Sequence, residues 1–183
     1  MIAHLPASGY REQRWKNGGG LVREIAVAFS GEPNAHMLWR VSIAEIDRDG
    51  PFSDYRGYDR TIVAIDGDPV ELHLDGERVT LPLYEPFEFS GESRIDCRLH
   101  GGSARDLNVM TLRNAYTHDL EIVTSPQRFV LDNDETAFVF AIEGAASIDD
   151  TTCERGDTLR VDGGRTISVA THGRLAAIRL TPF

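Results

Sequence analysis

The sequence predicts an all-β protein, a sandwich or barrel of many short strands, and three observations carry that prediction. Apolar stretches such as "REIAVAF", "RTIVAIDG", "FEFSG" and "AFVFAIEG" are short, rich in β-branched or aromatic residues and punctuated by glycine. They alternate with a period of two, and none sustains the i, i+3, i+4, i+7 face of a helix. The second half of the chain also repeats the strand order of the first. Many short strands in one compact chain call for a closed or two-layered β architecture.

Taken in order, "NGGG" (17–20) is a hairpin-like turn between two β-patterned arms, its glycines supplying positive φ. A P-loop would need the lysine after the glycines and a helix beyond them, whereas here Lys16 precedes them and "LVREIAV" continues as a strand. "MLWRVSIAEI" (37–46) and "RTIVAIDG" (60–67) are long strands. "LDGER" (74–78) marks a two-residue hairpin, because Asp-Gly suits a type I′ turn. The strands "IDCRL" and "LNVMTL" follow, and the stretch 112–118 allows one short helix. "TIVAIDG" (61–67) then returns as "FVFAIEG" (138–144), "PFEFSGE" (86–92) as "DTLRVDGG" (157–164), "RIDCRLHGG" as "RTISVATHG", and "LNVMTL" as "LAAIRL". The offset of roughly 70 to 77 residues suffices for one small barrel per copy.

Composition narrows the function. The chain has 183 residues, 41% of them hydrophobic, which is enough to bury a core. Against 19 basic residues stand 29 acidic ones, a formal charge of −10. That balance argues against direct binding to nucleic acid or to anionic membranes, and most of it is solvated surface. A few arginines in a pocket can still override the field for a small anion. No signal-type apolar run opens the sequence, no segment approaches transmembrane length, and Cys97 and Cys153 show no CxxC spacing. The expectation is a cytoplasmic protein with two reduced, buried thiols.

The "ERGDTLRVDGG" segment (154–164) resembles the Gly-Asp turn of the cupin barrel, and two such units resemble a bicupin. More finely, the chain resembles the HutD/Ves family. The match runs through "SGYREQRWKNGGGLVREIAV" (8–27), "WRVSIAEI" (39–46), "DGPFSDYRGYDRTIVAIDGD" (49–68), "PFEFSG" (86–91) and "RDLNVMTLR" (105–113). The family usually has Thr where Val22 stands and Arg where Leu112 stands. The resemblance implies two tandem, jelly-roll-like cupin barrels packed in one globular unit, residues 1–115 and 116–183, with strands exchanged between them. For the HutD branch it implies a link to histidine utilisation through an intermediate such as formylglutamate. The Ves branch is tied only to stress responses. A homodimer is a family-level expectation.

Metal-dependent cupins place two histidines and a glutamate on neighbouring strands. In the matching segment, Gly50 to Gly67, the glutamate position falls on Arg60 and the histidine positions fall near Ser53 and Tyr55. Arginine repels a cation where imidazole and carboxylate would hold one. The six histidines include no HxH pair, so neither metal nor cofactor is expected.

What replaces the metal points to an anion. A buried Arg60 must be paired, internally by Asp59 or Glu24 or else by a ligand carboxylate gripped through its guanidinium. In "LWRVSIAEI" the period of two sets Trp39, Val41 and Ile43 on one face and Arg40, Ser42 and Ala44 on the other. Arg-Ser-Ala is a poor core wall but a suitable wall for a polar pocket. Asp106, Asn108 and Met110 share a face in "RDLNVMTLR", and its two polar groups need partners. Phe52 and Tyr55 are either an aromatic rim or loop anchors. Trp15, Lys16 and Asn17 would lean over the barrel mouth as a flap. The leading expectation is therefore a metal-free bicupin that binds a small anionic metabolite and modulates histidine utilisation. No nucleophile elbow or Cys–His signature supports a hydrolase. A metal-independent enzyme acting on a small carboxylic acid, and a stress-related protein without a ligand, are the alternatives.

Overall fold

The computed structural model describes residues 1–15, 20–31 and 34–183, and among them it contains strands, turns and one 3-10 turn at Ala7–Gly9 but no α-helix. The stretch 112–118 is not helical. Arg113 to Ala115 form a turn between the strands Ala104–Leu112 and Tyr116–Val123, because the alternating pattern resumes at once on both sides. Among the described residues no helix is long and apolar enough to cross a membrane.

The chain divides into two compact units, Arg11–Ala115 and a second made of Met1–Tyr10 with Tyr116–Phe183. In the first, a six-stranded sheet runs Arg11–Arg14, Gly20–Phe29, Met37–Ile46, Ala104–Leu112, Tyr58–Gly67, Phe87–Ser90. It faces a four-stranded sheet ordered Gly50–Pro51, Ile95–Leu99, Val70–Leu74, Glu77–Leu81. The second unit pairs a five-stranded sheet (Ile2–Leu5, Thr158–Asp162, Thr136–Glu143, Arg174–Pro182, Tyr116–Val123) with a four-stranded one (Gln127–Leu131, Arg165–Thr171, Ala146–Ile148, Thr151–Cys153). The Asp-Gly hairpin forms as its sequence requires: Leu74 pairs with Glu77, and Asp75 and Gly76 have φ of 49° and 95°.

The N-terminal strand is fastened to the second unit by the Gly-Asp turn. Gly156 takes a φ of 89°, and Asp157 accepts hydrogen bonds from the Ala7 N–H at 2.8 Å and meets His4 Nε2 at 2.9 Å. The Tyr10 hydroxyl lies 2.8 Å from Thr158 Oγ1 and donates to the Gly156 carbonyl at 2.9 Å.

The sequence repeat is also a repeat of irregularities. Opposite Ala104–Leu112, the strand Tyr58–Gly67 slips register so that Asp106 faces Ala64 while Arg105 faces Asp66. Opposite Arg174–Pro182, the strand Thr136–Glu143 slips identically: Leu175 faces Ala141 and Arg174 faces Glu143. In both copies the acid beyond the bulge holds the arginine across from it, Asp66 with Arg105 and Glu143 with Arg174. In both, the next glycine has positive φ and packs on backbone, Gly67 beside Ser103 and Gly144 beside His172. The "Ala-Ile-acid-Gly" echo is thus a bulge, an ion pair and a tight glycine, built twice.

Each unit has its own core. Val123, Leu131, Val139, Ile148, Leu159, Val161, Ile167 and Leu175 are among the residues that fill the second, and Cys153 lies with them as a free thiol. The first is shorter: Ile46, Ile62, Ala64, Leu72, Leu81, Ile95 and the free Cys97 close one end of the interior. A Cβ on Gly67, at φ of 93°, would stand 2.4 Å from the Ser103 carbonyl oxygen. Gly67→Ala is therefore expected to lower stability by on the order of 2 kcal/mol, measured as a reduced urea midpoint with unchanged slope.

Candidate functional site

Beyond its apolar end, the interior of the Arg11–Ala115 unit opens into a cavity of about 590 Å³. Three adjacent strands supply its floor. Their register sets Arg40, Met110 and Arg60 in one row, Ser42, Asn108 and Ile62 in the next, and Ala44, Asp106 and Ala64 in the third. Trp39, Val41 and Ile43 are buried on the opposite face, as period two dictates. Ser42, Arg60, Asp106 and Asn108 are all less than a tenth exposed.

The segment 51–55 forms a wall, and Trp15 adds to it, meeting Phe52 edge to face with centroids 6.3 Å apart. This wall is tied down. Tyr55 N–H donates to the Gly91 carbonyl at 2.9 Å, Gly91 N–H to Tyr58 O at 2.8 Å, and Gly57 N–H to Glu92 Oε1 at 2.8 Å. Arg113 in turn binds Glu92, Asp59 and the Tyr58 carbonyl, which holds the Glu92 carboxyl well below its ordinary range. Phe52 and Tyr55 are consequently both loop anchors and lining residues.

Arg60 sits among aromatic faces, its guanidinium carbon 4.7 Å from the Phe89 centroid, 5.3 Å from Tyr55 and 5.8 Å from Phe52. Its Nη1 donates to the Ser53 carbonyl at 3.3 Å. Arg40 stacks 5.3 Å from the Tyr55 centroid and directs Nη2 to the Tyr55 hydroxyl at 3.2 Å and to Met110 Sδ at 3.3 Å. Among the described residues neither arginine makes an ion pair. Four buried polar atoms have no hydrogen-bond partner there: Arg40 Nε, Arg60 Nε, Asp106 Oδ1 and Asn108 Oδ1. All four belong to residues lining the cavity. Burial lowers the Arg60 guanidinium to about 10 and lifts the Asp106 carboxyl to about 7, with Arg60 partly opposing the latter.

The duplication supplies an internal comparison. Counting from the shared bulges, Arg60 corresponds to Ala137, Asn108 to Ala177 and Asp106 to Leu175. Those three residues of the second unit are part of its apolar core. Arg40 and Ser42 correspond to Asp119 and Glu121, which are charged residues. The second copy therefore closes over apolar residues only at the places of Arg60, Asp106 and Asn108.

Of the residues singled out in the sequence, Trp15, Arg40, Ser42, Phe52, Tyr55, Arg60, Asp106 and Asn108 line this one cavity. Lys16 and Asn17 lie outside the described residues. Asp59 and Glu24 are not brought to it. Asp59 follows the opposite alternation from Arg60 and holds Arg113 at 2.8 Å, and Glu24 pairs with Ser42 at the sheet level without lining the cavity. Sequence reasoning missed Phe89, placed beside Arg60 by strand pairing, and Met110, whose shared face with Asp106 and Asn108 was the available signal. Gln13, Arg14, Ser53 and Asp54 also line the cavity.

Among the described residues no group of three His, Cys, Asp or Glu side chains is placed to hold a metal ion. At the positions where cupins carry metal ligands, Ser53, Tyr55 and Arg60 all line the cavity. Two guanidinium groups do not suit a cation, so the usual cupin metal does not fit this donor set.

Two cupin-type barrels in tandem, one with a polar interior, make this protein a bicupin. The chain belongs to the HutD family, whose model matches residues 7–178. It is 34% identical to an uncharacterised 21.2 kDa protein of the hutC 3′ region of Pseudomonas putida, over 96% of this chain and 95% of that one. Protein Ves of Citrobacter koseri is 33% identical over 74% of this chain and 70% of its own length. The structure of HutD from Pseudomonas fluorescens SBW25, described as a formate condition, superposes with a TM-score of 0.92 at 35% identity, covering 100% of both chains. A bacterial pirin from Escherichia coli in complex with nickel(II), 12% identical with a TM-score of 0.68 over 100% of this chain and 99% of that one, shares the fold.

The raised Asp106 carboxyl carries a stability signature. Between the ordinary 3.8 and about 7 the folded state holds a proton that the unfolded chain has released, so this group's contribution falls as pH rises through that window. Asp106→Asn removes the effect. Ligand-free Asp106→Asn is expected to match wild type near pH 4 and to exceed it by on the order of 2–4 kcal/mol at pH 8, compared by urea denaturation.

Proposed function

We propose that the cavity of the Arg11–Ala115 unit binds a small anionic metabolite of histidine degradation, formylglutamate or a close relative, and that the protein modulates histidine utilisation through it. The observation that carries this reading is the pair of arginines, Arg40 and Arg60, held on one row of a largely buried cavity with both Nε–H groups unpartnered. A guanidinium in such a place is satisfied by a carboxylate, which it can grip through two parallel bonds. The hut-region relative and the HutD family supply the metabolic context. A cytoplasmic setting, where Cys97 and Cys153 would stay reduced, goes with this role.

A second reading has one observation in its favour. A carboxyl raised to about 7 inside a cavity is also what a general acid–base group looks like, so Asp106 could serve an enzyme acting on a small carboxylic acid. Recovery of unchanged ligand by NMR after long incubation favours the binding protein; a new compound favours the enzyme.

Thermal shift and calorimetry with formylglutamate, urocanate, histidine and glutamate test the leading reading. Formylglutamate is expected to raise the melting temperature, and Arg40→Ala or Arg60→Ala to weaken its binding by roughly 30-fold or more. If none of the four compounds shifts the transition, the histidine-pathway reading fails.

A further inference from the structure

We propose that the cavity takes up a proton together with its anion, Asp106 receiving the proton from solvent as the anion seats against Arg40 and Arg60. This rests on the anion-binding reading above and holds whichever small carboxylate is bound; it adds a control of occupancy by pH.

A site for anions that carries its own buried carboxyl is at odds with itself. Asp106 is 3% exposed, its Oδ1 has no hydrogen-bond partner, and among the described residues it makes no ion pair. It lies on the same sheet face as the two guanidinium groups, two rows along Ala104–Leu112 from the row of Arg40, Met110 and Arg60. Rows are roughly 7 Å apart, a separation that long side chains narrow without closing it into an ion pair. Across a dry interior charge still acts at that range. Ionised, Asp106 opposes every anion that enters; protonated, it does not. The second unit closes over Leu175 at the matching place, so the architecture itself asks for no carboxyl there.

Charged and titratable groups reach Asp106 from each neighbouring element. Tyr58–Gly67 brings Arg60, the cation that partly offsets the effect of burial. Met37–Ile46 brings Arg40, beyond the neutral Ser42 and Ala44, and Gly20–Phe29 brings only Val22. The wall 51–55 adds Asp54 and Tyr55, and Arg11–Arg14 adds Arg14. Asp54 and Arg14 are exposed, and Asp54 is paired with Arg56. Ile95–Leu99 brings Cys97, whose thiol is pushed up to about 12 by burial and by the Asp106 charge, so it stays neutral. No histidine lines the cavity. Asp106, its carboxyl lifted to about 7, is the group there that changes charge near neutral pH.

An arriving anion acts on that carboxyl by three routes of one sign. It neutralises Arg60, which favours the ionised form; it adds a like charge; and it excludes water from around the carboxyl. Each raises the proton affinity of Asp106, and by reciprocity a proton held there raises the affinity for the anion. Below about 7 the empty site already holds the proton, and affinity is level. Above it, binding must draw a proton from solvent and weakens by up to about ten-fold per pH unit.

Isothermal titration with formylglutamate and with glutarate tests this, since neither has an ordinary carboxyl that titrates appreciably between about pH 6.5 and 8.5. At about pH 8 the binding enthalpy is measured in HEPES and in Tris, whose heats of ionisation differ, and the difference counts the protons exchanged. Uptake of roughly half a proton or more per anion is expected, with affinity falling about five-fold or more from pH 6.5 to 8.5. Asp106→Asn keeps the shape and removes the titration. Its affinity is expected to vary less than about two-fold over the same range, with no proton uptake. An anion that binds the wild type with a level profile and no proton uptake overturns the inference and leaves the anion site standing. A pH dependence that persists in Asp106→Asn also overturns it, because the proton then belongs to another group. If neither compound binds at any pH, the anion-binding reading falls and this inference with it.

Discussion

The strand Ala104–Leu112 lies between Met37–Ile46 and Tyr58–Gly67, and its register with both decides what the first barrel holds inside. Because side chains alternate across a sheet, a slip of one residue would turn Leu107 and Val109 inward and send Asp106 and Asn108 to the other face. The bulge at Arg105/Asp106 sets that register at one end, secured by Gly67 against the Ser103 carbonyl and by Asp66 with Arg105. From this single alignment follow the row of Arg40, Met110 and Arg60 and the rows of acceptors beside it. The apolar residues of the same three strands, Ile46, Ile62, Ala64 and Ala104, close the interior beyond them.

Energetically, the first interior is the less favourable of the two. A buried carboxyl with a free oxygen and a buried cation packed against rings contribute less to folding than Leu175 and Ala137, which stand at the places of Asp106 and Arg60 in the second barrel. The arginines are tolerated through their aromatic neighbours: Phe89, Tyr55 and Phe52 present ring faces to Arg60, and Tyr55 serves Arg40 as well. Two copies of one architecture, one filled and one polar, therefore place the less favourable interior in the first unit alone.

Much of this was legible in the sequence because period two is a local signal. It sets Arg40 with Ser42 and Ala44, and Asp106 with Asn108, on shared faces, while the repeated "Ala-Ile-acid-Gly" string marks matching strands whose bulge, an interruption of period two, shows only in the pairing. Asp59 shows where adjacency misleads: a neighbour in sequence to Arg60 is on the other face of its strand, and Asp59 binds Arg113 there. Phe89 shows the complementary gap. It meets Arg60 only because Phe87–Ser90 pairs with Tyr58–Gly67, a long-range choice that no local pattern reveals. Glu24 shares Ser42's place in the register and yet does not line the cavity, whereas Val22, two residues before it, does.

The anchored wall changes how selectivity must arise. Were residues 51–58 free to close over a ligand, much of the recognition could come from induced fit, with the ordering of that loop set against binding. Instead the Tyr55 and Tyr58 backbones are held by Gly91, where an added Cβ would stand 2.0 Å from the Tyr55 carbonyl oxygen, and Gly57 is held by Glu92 beneath Arg113. The aromatic faces and both guanidinium groups are therefore in place before a ligand arrives. Within the wall from Phe52 to Gly57 little conformational entropy remains to be lost, and an anion bound against it would be discriminated by how well its charges meet atoms that are already fixed.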